Sequence, residues 1–169
     1  RSECVSHLEK LVHDRCGVTA AKVWEEDSLF YYLYEGLCAV QHRGQESSGI
    51  SFTGRVFKTI KVKGLASQLT NYGSEVMGFA GIGHNRYSTR GGTNGEEFMQ
   101  PVELTEGNER LALAFNGDVA NFEELRMSIR NETSTVVRTD SGLLLHLIAS
   151  GVAKGDIFGA YEVISSLVK

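Results

Sequence analysis

Cys16 lies in LVHDRCGVTAAK, between a charged run and Gly17, and three chemistries are open to it. A thiolate attacks carbonyl carbon or binds zinc, whereas a protonated thiol packs as a small hydrophobe. The zinc reading has a set of candidates in Cys4, His7, His13 and Cys16. Its five-residue spacer is short for a finger, and a helix between the two histidines would point them apart. Asn116-Gly117 in AFNGD is a common hairpin turn, but also two oxyanion donors side by side: a side-chain amide and an unobstructed backbone N–H. Arg86 ends GIGHNR and is either a surface charge or a planar clamp for a carboxylate. That stretch nearly matches a dinucleotide fingerprint, but the motif needs a helix directly after it, and YSTRGGTNGEEF reads as loop. In RTDSGLLLHL, Thr139 or Asp140 is a helix cap by default. QHRGQESSG, which contains Arg43, is by itself a polar corner.

The elements that must carry these groups come in blocks. SHLEKLVHD predicts a short helix with a Ser6/Glu9 capping box, and GVTAAKV a strand. DSLFYYLYEGLCAVQHRG has Leu29, Tyr32, Leu33, Gly36, Leu37 and Val40 at helical spacing. Asp27 or Ser28 is its expected cap, Gly44 its stop and Cys38 a packing residue beside the stripe. Residues 49–64 predict two strands around Thr53-Gly54, and 77–89 and 110–118 one strand each. Residues 121–131, 139–151 and 156–169 predict helices. Grouped rather than alternating elements favour a layered α+β domain with largely antiparallel sheets.

Composition narrows the partners. With 41% apolar and 22% charged residues, the chain can fill one core without requiring a second domain. A net charge of −4 and the lack of a basic block argue against nucleic acid. No apolar run reaches the roughly 20 residues that span a bilayer, so no membrane partner is expected. Three cysteines, an odd number, suggest a reducing compartment, and the cytoplasm is the expected location.

Taken in order, CGV, QHRGQESSGI, KGLASQL, GIGHNRYST, FNGD, NFEELR and TDS resemble the glutaminase domain of the amidophosphoribosyltransferase family. These are class II glutamine amidotransferases of the N-terminal-nucleophile hydrolase superfamily. QHRGQESSGI discriminates, because the hexosamine-forming relatives look more like YRGYDSAGI. The resemblance covers residues 16 to about 150 and implies a four-layer αββα sandwich. It implies a leader at 1–15, removed to free the α-amine of Cys16, and a glutaminase domain at 16–169, incomplete at its C-terminus. Cys16 is then the nucleophile and its own base, and Asn116 and Gly117 the oxyanion hole. Arg86 holds the α-carboxylate of the substrate glutamine and Asp140 its α-amino group. Tyr87 to Pro101, with Gly91, Gly92 and Gly95, is a closing loop lined by Thr89, and Arg43 supports the cysteine end of the site. The family's HNGN, DSE and CGVFG stand here as FNGD, DSG and CGVTA, and no catalytic group is lost in these changes. The family further implies an ammonia-accepting phosphoribosyltransferase domain of the same protein and a homo-oligomer. No cofactor is expected in this domain; any magnesium or iron–sulfur requirement belongs to the phosphoribosyltransferase part. The alternatives are another class II amidotransferase, such as the hexosamine-forming type, and a non-catalytic module with Cys16 still joined to the leader.

Overall fold

The computed structural model describes residues 16–87, 95–130, 137–153 and 157–167. Its main sheet holds β1 (Gly17–Lys22), β2 (Ser47–Thr53), β3 (Phe57–Lys63) and β4 (Ala80–Arg86). The strand order is β1-β4-β2-β3 and every pairing is antiparallel. The predicted hairpin turns at Gly54, whose N–H donates to the Val56 carbonyl.

One face of this sheet is covered by α1 (Leu29–Ala39). Leu29, Leu33 and Leu37 recur every four residues, share one side of the helix and are fully buried. They join Ile50, Phe52, Ile60, Leu69 and Val76 in one cluster. Each such burial contributes about 1.5–3 kcal/mol. The glycines of GIGH serve this contact. A Cβ on Gly81 would stand 2.7 Å from Leu33 Cδ1, and one on Gly83 would stand 3.1 Å from Leu37 Cδ1. They let helix and sheet approach, so the fingerprint-like spacing marks close packing rather than a phosphate cradle.

The opposite face meets a second sheet, β5 (Val102–Glu106) paired antiparallel with β6 (Glu109–Leu113). The Ser51 hydroxyl donates to Thr59 Oγ1 at 2.7 Å, and Thr59 donates to Glu103 Oε2 at 2.9 Å, tying the sheets together. Behind β5 and β6 pack α2 (Phe122–Arg130) and α3 (Asp140–Ala153), with α4 (Ile157–Leu167) against α3. Val119, Leu125, Ile129, Val137, Leu143 and Leu144 form their core. Helix, sheet, sheet and helix therefore follow in sequence, an αββα layering of antiparallel sheets and an α+β fold.

The structure corrects four local expectations. The helix expected to run to Gly44 ends at Ala39, and Gln41–Arg43 forms a separate 3-10 turn. Gln41 stabilises that corner, donating to the Gly44 carbonyl and accepting from the Ala66 N–H. Ser28 stands at the helix start but donates to the Glu25 carbonyl instead of capping. Tyr32 and Cys38, expected in or beside the apolar stripe, are exposed, because Leu29, Leu33, Gly36, Leu37 and Val40 fill the side that meets the sheet. Strand β5 falls at Val102–Glu106, where no element was expected. The expected helix around residues 6–14 lies outside the described residues, as do Cys4, His7 and His13.

Candidate functional site

Cys16 immediately precedes β1, and the register that sets Gly17 opposite Asn85 brings it to the end of β4. The Tyr87 N–H points at Cys16 Sγ over 3.5 Å, and the thiol lies 3.8 Å from the Tyr87 carbonyl. Arg43, from the 3-10 turn, donates through Nε to the Cys16 carbonyl at 3.1 Å. The thiol is free and partly accessible.

Alternation along β4 sends Gly81 and Gly83 toward α1 and leaves His84 and Arg86 together on the other face. Arg86 Nη1 pairs with Glu46 Oε1 at 3.1 Å, and its guanidinium lies 5.4 Å from the centre of the Phe98 ring. Its side chain keeps only 12% of its exposure. Asn85, between them and fully buried, is structural: it donates to the Leu37 carbonyl and accepts from Ser48.

Asn116 and Gly117 lie in an exposed corner after β6. The residue before them is held on both sides of its backbone. Phe115 N–H donates to Gln100 Oε1 at 2.7 Å, and His84 Nε2 meets the Phe115 carbonyl at 3.2 Å. On the far side of the corner, Val119 N–H donates to Asp140 Oδ1 at 3.1 Å. Thr139, not Asp140, caps α3, its hydroxyl oxygen accepting from the Gly142 N–H. Asp140 is thereby left to face the corner.

A run of direct contacts thus links Arg43 to Cys16, Cys16 to the end of β4, His84 to the Asn116 corner and that corner to Asp140. Thr89, Gly91 and Gly92 lie outside the described residues. His84, Gln100 and Glu46 were not singled out in the sequence. The period of two shared by His84 and Arg86 is the signal that could have found the first. Burial pushes the His84 ring down to about 4, outweighing the opposite pull of the Phe115 carbonyl, and the nearby Arg86 charge adds to the fall. Among the described residues no group of three His, Cys, Asp or Glu side chains could hold a metal ion. An open cavity of about 440 Å3 between the sheets is lined by Ala20, Phe57, Ala80, Ile82 and Ala112. It lies at the Lys22 end of β1, and none of the site residues lines it.

Known proteins are similar to this chain in sequence and in fold. A scan against protein-family models finds no match. An amidophosphoribosyltransferase of Bacillus subtilis is 37% identical over 82% of this chain and 30% of its own length. One of Lacticaseibacillus casei is 33% identical over 88% of this chain and 77% of its own length. The chain belongs to the amidophosphoribosyltransferase family. Among solved structures, one described as the allosteric regulatory enzyme of purine biosynthesis superposes with a TM-score of 0.71 at 32% identity. That match covers 88% of this chain and 32% of the other. The chain spans about 30% of the length of the first amidophosphoribosyltransferases it matches. Among its described residues no helix is long and apolar enough to cross a membrane.

Proposed function

We propose that this chain is the glutaminase part of an amidophosphoribosyltransferase, hydrolysing glutamine to glutamate and ammonia. The observation that carries the reading is the contact run from Cys16 along β4 to the Asn116–Gly117 corner. It supports a nucleophile and two oxyanion donors serving one carbonyl, with Arg86 between them in the fold.

A side-chain amide is a weak electrophile, and an ordinary thiol is only a few per cent thiolate at neutral pH. Cutting the Arg15–Cys16 bond frees an α-amine whose usual pKa of roughly 7.7 suits it to accept the thiol proton. The sulfur then attacks the amide carbon, and the carbonyl oxygen becomes an oxyanion. Asn116 Nδ2–H and Gly117 N–H donate to it, each worth about 2.7–4 kcal/mol of barrier by analogy with other oxyanion holes. The ammonium of Cys16 returns its proton to the leaving nitrogen, ammonia departs and a thioester remains. Water attacks the thioester, glutamate leaves and the thiol is regenerated.

Arg86 takes the α-carboxylate of glutamine, with Glu46 orienting the guanidinium plane. Asp140 takes the α-ammonium; a carboxylate has room for that contact beside the Val119 N–H. Such a pair selects free glutamine over a glutamine inside a peptide, which lacks both charges. Tyr87, at the root of the closing loop, holds the thiol in place through its N–H. Ammonia passes to a phosphoribosyltransferase domain of the same cytoplasmic, homo-oligomeric protein, forming 5-phosphoribosylamine for purine synthesis. Magnesium or an iron–sulfur cluster, where needed, is held there.

The test is glutamine hydrolysis by the full-length protein, paired with sequencing of its N-terminus. Cys16→Ala is expected to lower kcat on the order of 10⁴-fold. Turnover at the processed rate by protein still joined at Arg15–Cys16 would remove the amine from the mechanism.

A further inference from the structure

We propose that His84 and Gln100 are positioning residues for the oxyanion donors, acting through the backbone of Phe115. The inference rests on reading Asn116 and Gly117 as those donors, and it adds the parts that aim them.

The corner needs such parts. Strand pairing stops at Leu113 and α2 starts at Phe122, so Asn116 and Gly117 have no ladder to define their direction. Both are exposed, and an unsupported exposed corner samples many orientations. Oxyanion stabilisation depends on donors already pointing at the place where charge develops. Phe115 is the last residue before the corner, and both of its backbone polar groups are taken: N–H by Gln100 at 2.7 Å and carbonyl by His84 at 3.2 Å. The first contact fixes the peptide plane that enters Phe115, and the second fixes the plane from which Asn116 departs. The ring of Phe115 lies under Gly117, with Cζ 2.7 Å from where a Cβ would stand, so the anchored residue also braces the second donor.

His84 is an unusual choice for a packing residue. It is fully buried, and its Nδ1 is buried without a partner among the described residues. A carbonyl can only accept, so Nε2 carries the proton and donates to Phe115 while Nδ1 stays bare. With its pKa near 4, the ring keeps this one neutral form across the working range, and the bond does not change with pH. A leucine would fill the space with no orphaned nitrogen, so the retained polarity is used on the Phe115 carbonyl. Gln100 completes the pair from the bend that leads into β5, where its own carbonyl rests against Gly49. Because His84 and Arg86 share one face of β4, a single strand aligns the carboxylate clamp and the oxyanion corner.

The experiment uses full-length protein carrying His84→Leu, His84→Gln, Gln100→Leu, Asn116→Ala or His84→Leu with Asn116→Ala. Glutaminase kcat and KM are measured, together with the rate of iodoacetamide alkylation at the Cys16 peptide, a reaction that needs no oxyanion donor. His84→Leu and Gln100→Leu are expected to lower kcat about 10- to 100-fold, below the loss of a whole donor. KM and the alkylation rate should stay within about twofold, because the substrate clamp and the thiol remain in place. His84→Gln, which restores an N–H at the Nε2 position, should recover most of kcat. The double variant should fall by less than the product of the two single losses, because part of the His84 effect runs through Asn116 and only the part on Gly117 remains. If His84→Leu does not fold, Gln100→Leu reads the same bond system from the other side. The inference is overturned if folded variants keep kcat, if alkylation slows in step with it, or if the double losses multiply. Normal kcat in Asn116→Ala would bring down the oxyanion reading and this inference together. An impaired Asn116→Ala beside an unimpaired His84→Leu and Gln100→Leu would bring down this inference alone.

Discussion

Gly49→Ala tests whether packing between the sheets controls chemistry at the corner. Gly49 sits in β2 opposite His84, and a Cβ there would stand 2.3 Å from the Gln100 carbonyl oxygen and 3.1 Å from Pro101 Cδ. A carbon–oxygen contact relaxes near 3.3 Å, so the backbone at Gln100 must retreat by about 1 Å. The obstructing atom is backbone, and no side-chain rotation relieves it. The same residue holds the Phe115 N–H at 2.7 Å, and a retreat of that size stretches this bond beyond the range of a real hydrogen bond. Overpacking of this kind costs about 1–3 kcal/mol of stability. A misplacement of about 1 Å costs on the order of 10²-fold in rate when it reaches a catalytic group. The expected result is a lower urea midpoint, a kcat reduced about 10- to 100-fold and a KM for glutamine almost unchanged. Equilibrium urea unfolding and steady-state glutaminase kinetics on full-length protein read these separately. A variant with the lowered midpoint but wild-type kcat would break the link from sheet contact to oxyanion corner. Wild-type values of both would show that the sheets do not meet at Gly49.

Arg86→Lys keeps a charge but loses the planar fork, and should raise KM for glutamine about 10- to 100-fold while Cys16 alkylation is unaffected; an unchanged KM would place the α-carboxylate elsewhere. His84 contributes a pH-dependent stability. Its folded pKa of about 4 lies below the ordinary 6.5, so the unfolded chain binds the extra proton between those values. The stability is fully present above pH 6.5 and is lost as pH falls toward 4, by about 3 kcal/mol at most. Urea unfolding at pH 7 and 5 should show this fall in the wild type and not in His84→Gln; equal falls in both would assign it to other groups. Leu33→Ala empties a fully buried position over Gly81 and should cost about 2–5 kcal/mol, read as a shift in urea midpoint without a change in m-value.

Much of the fold was readable because its signals are local. The Leu29-Leu33-Leu37 row, the hairpin across Gly54 and the capped start of α3 each lie within a few residues of chain. The misses have physical causes too. Val102 and Leu104 alternate with Glu103 and Thr105, a strand signal only five residues long and hidden beside a polar stretch. Helix α1 stops at Ala39 because Gln41 finds backbone partners as distant as Ala66, which no window on the helix contains. Cys38 was placed beside the stripe by helical spacing, yet the side that contacts the sheet is filled by Leu33, Gly36, Leu37 and Val40 and leaves it in solvent.

For the candidate site the division is sharper. The residue types alone determined which chemistry was open: a thiol before glycine, an Asn-Gly pair and an arginine ending a strand, joined by motifs similar to those of one family. Tertiary structure decided what those groups touch. Asp140 is held at the corner by the Val119 N–H, Arg86 is held by Glu46, and Asn116 is aimed by His84 and Gln100 through Phe115. The physical reason is that reactivity resides in a side chain's own bonds, whereas orientation resides in contacts between distant residues, from 15 positions apart for Phe115 and Gln100 to 71 for Cys16 and Tyr87. Such contacts exist only once two sheets have closed on one another.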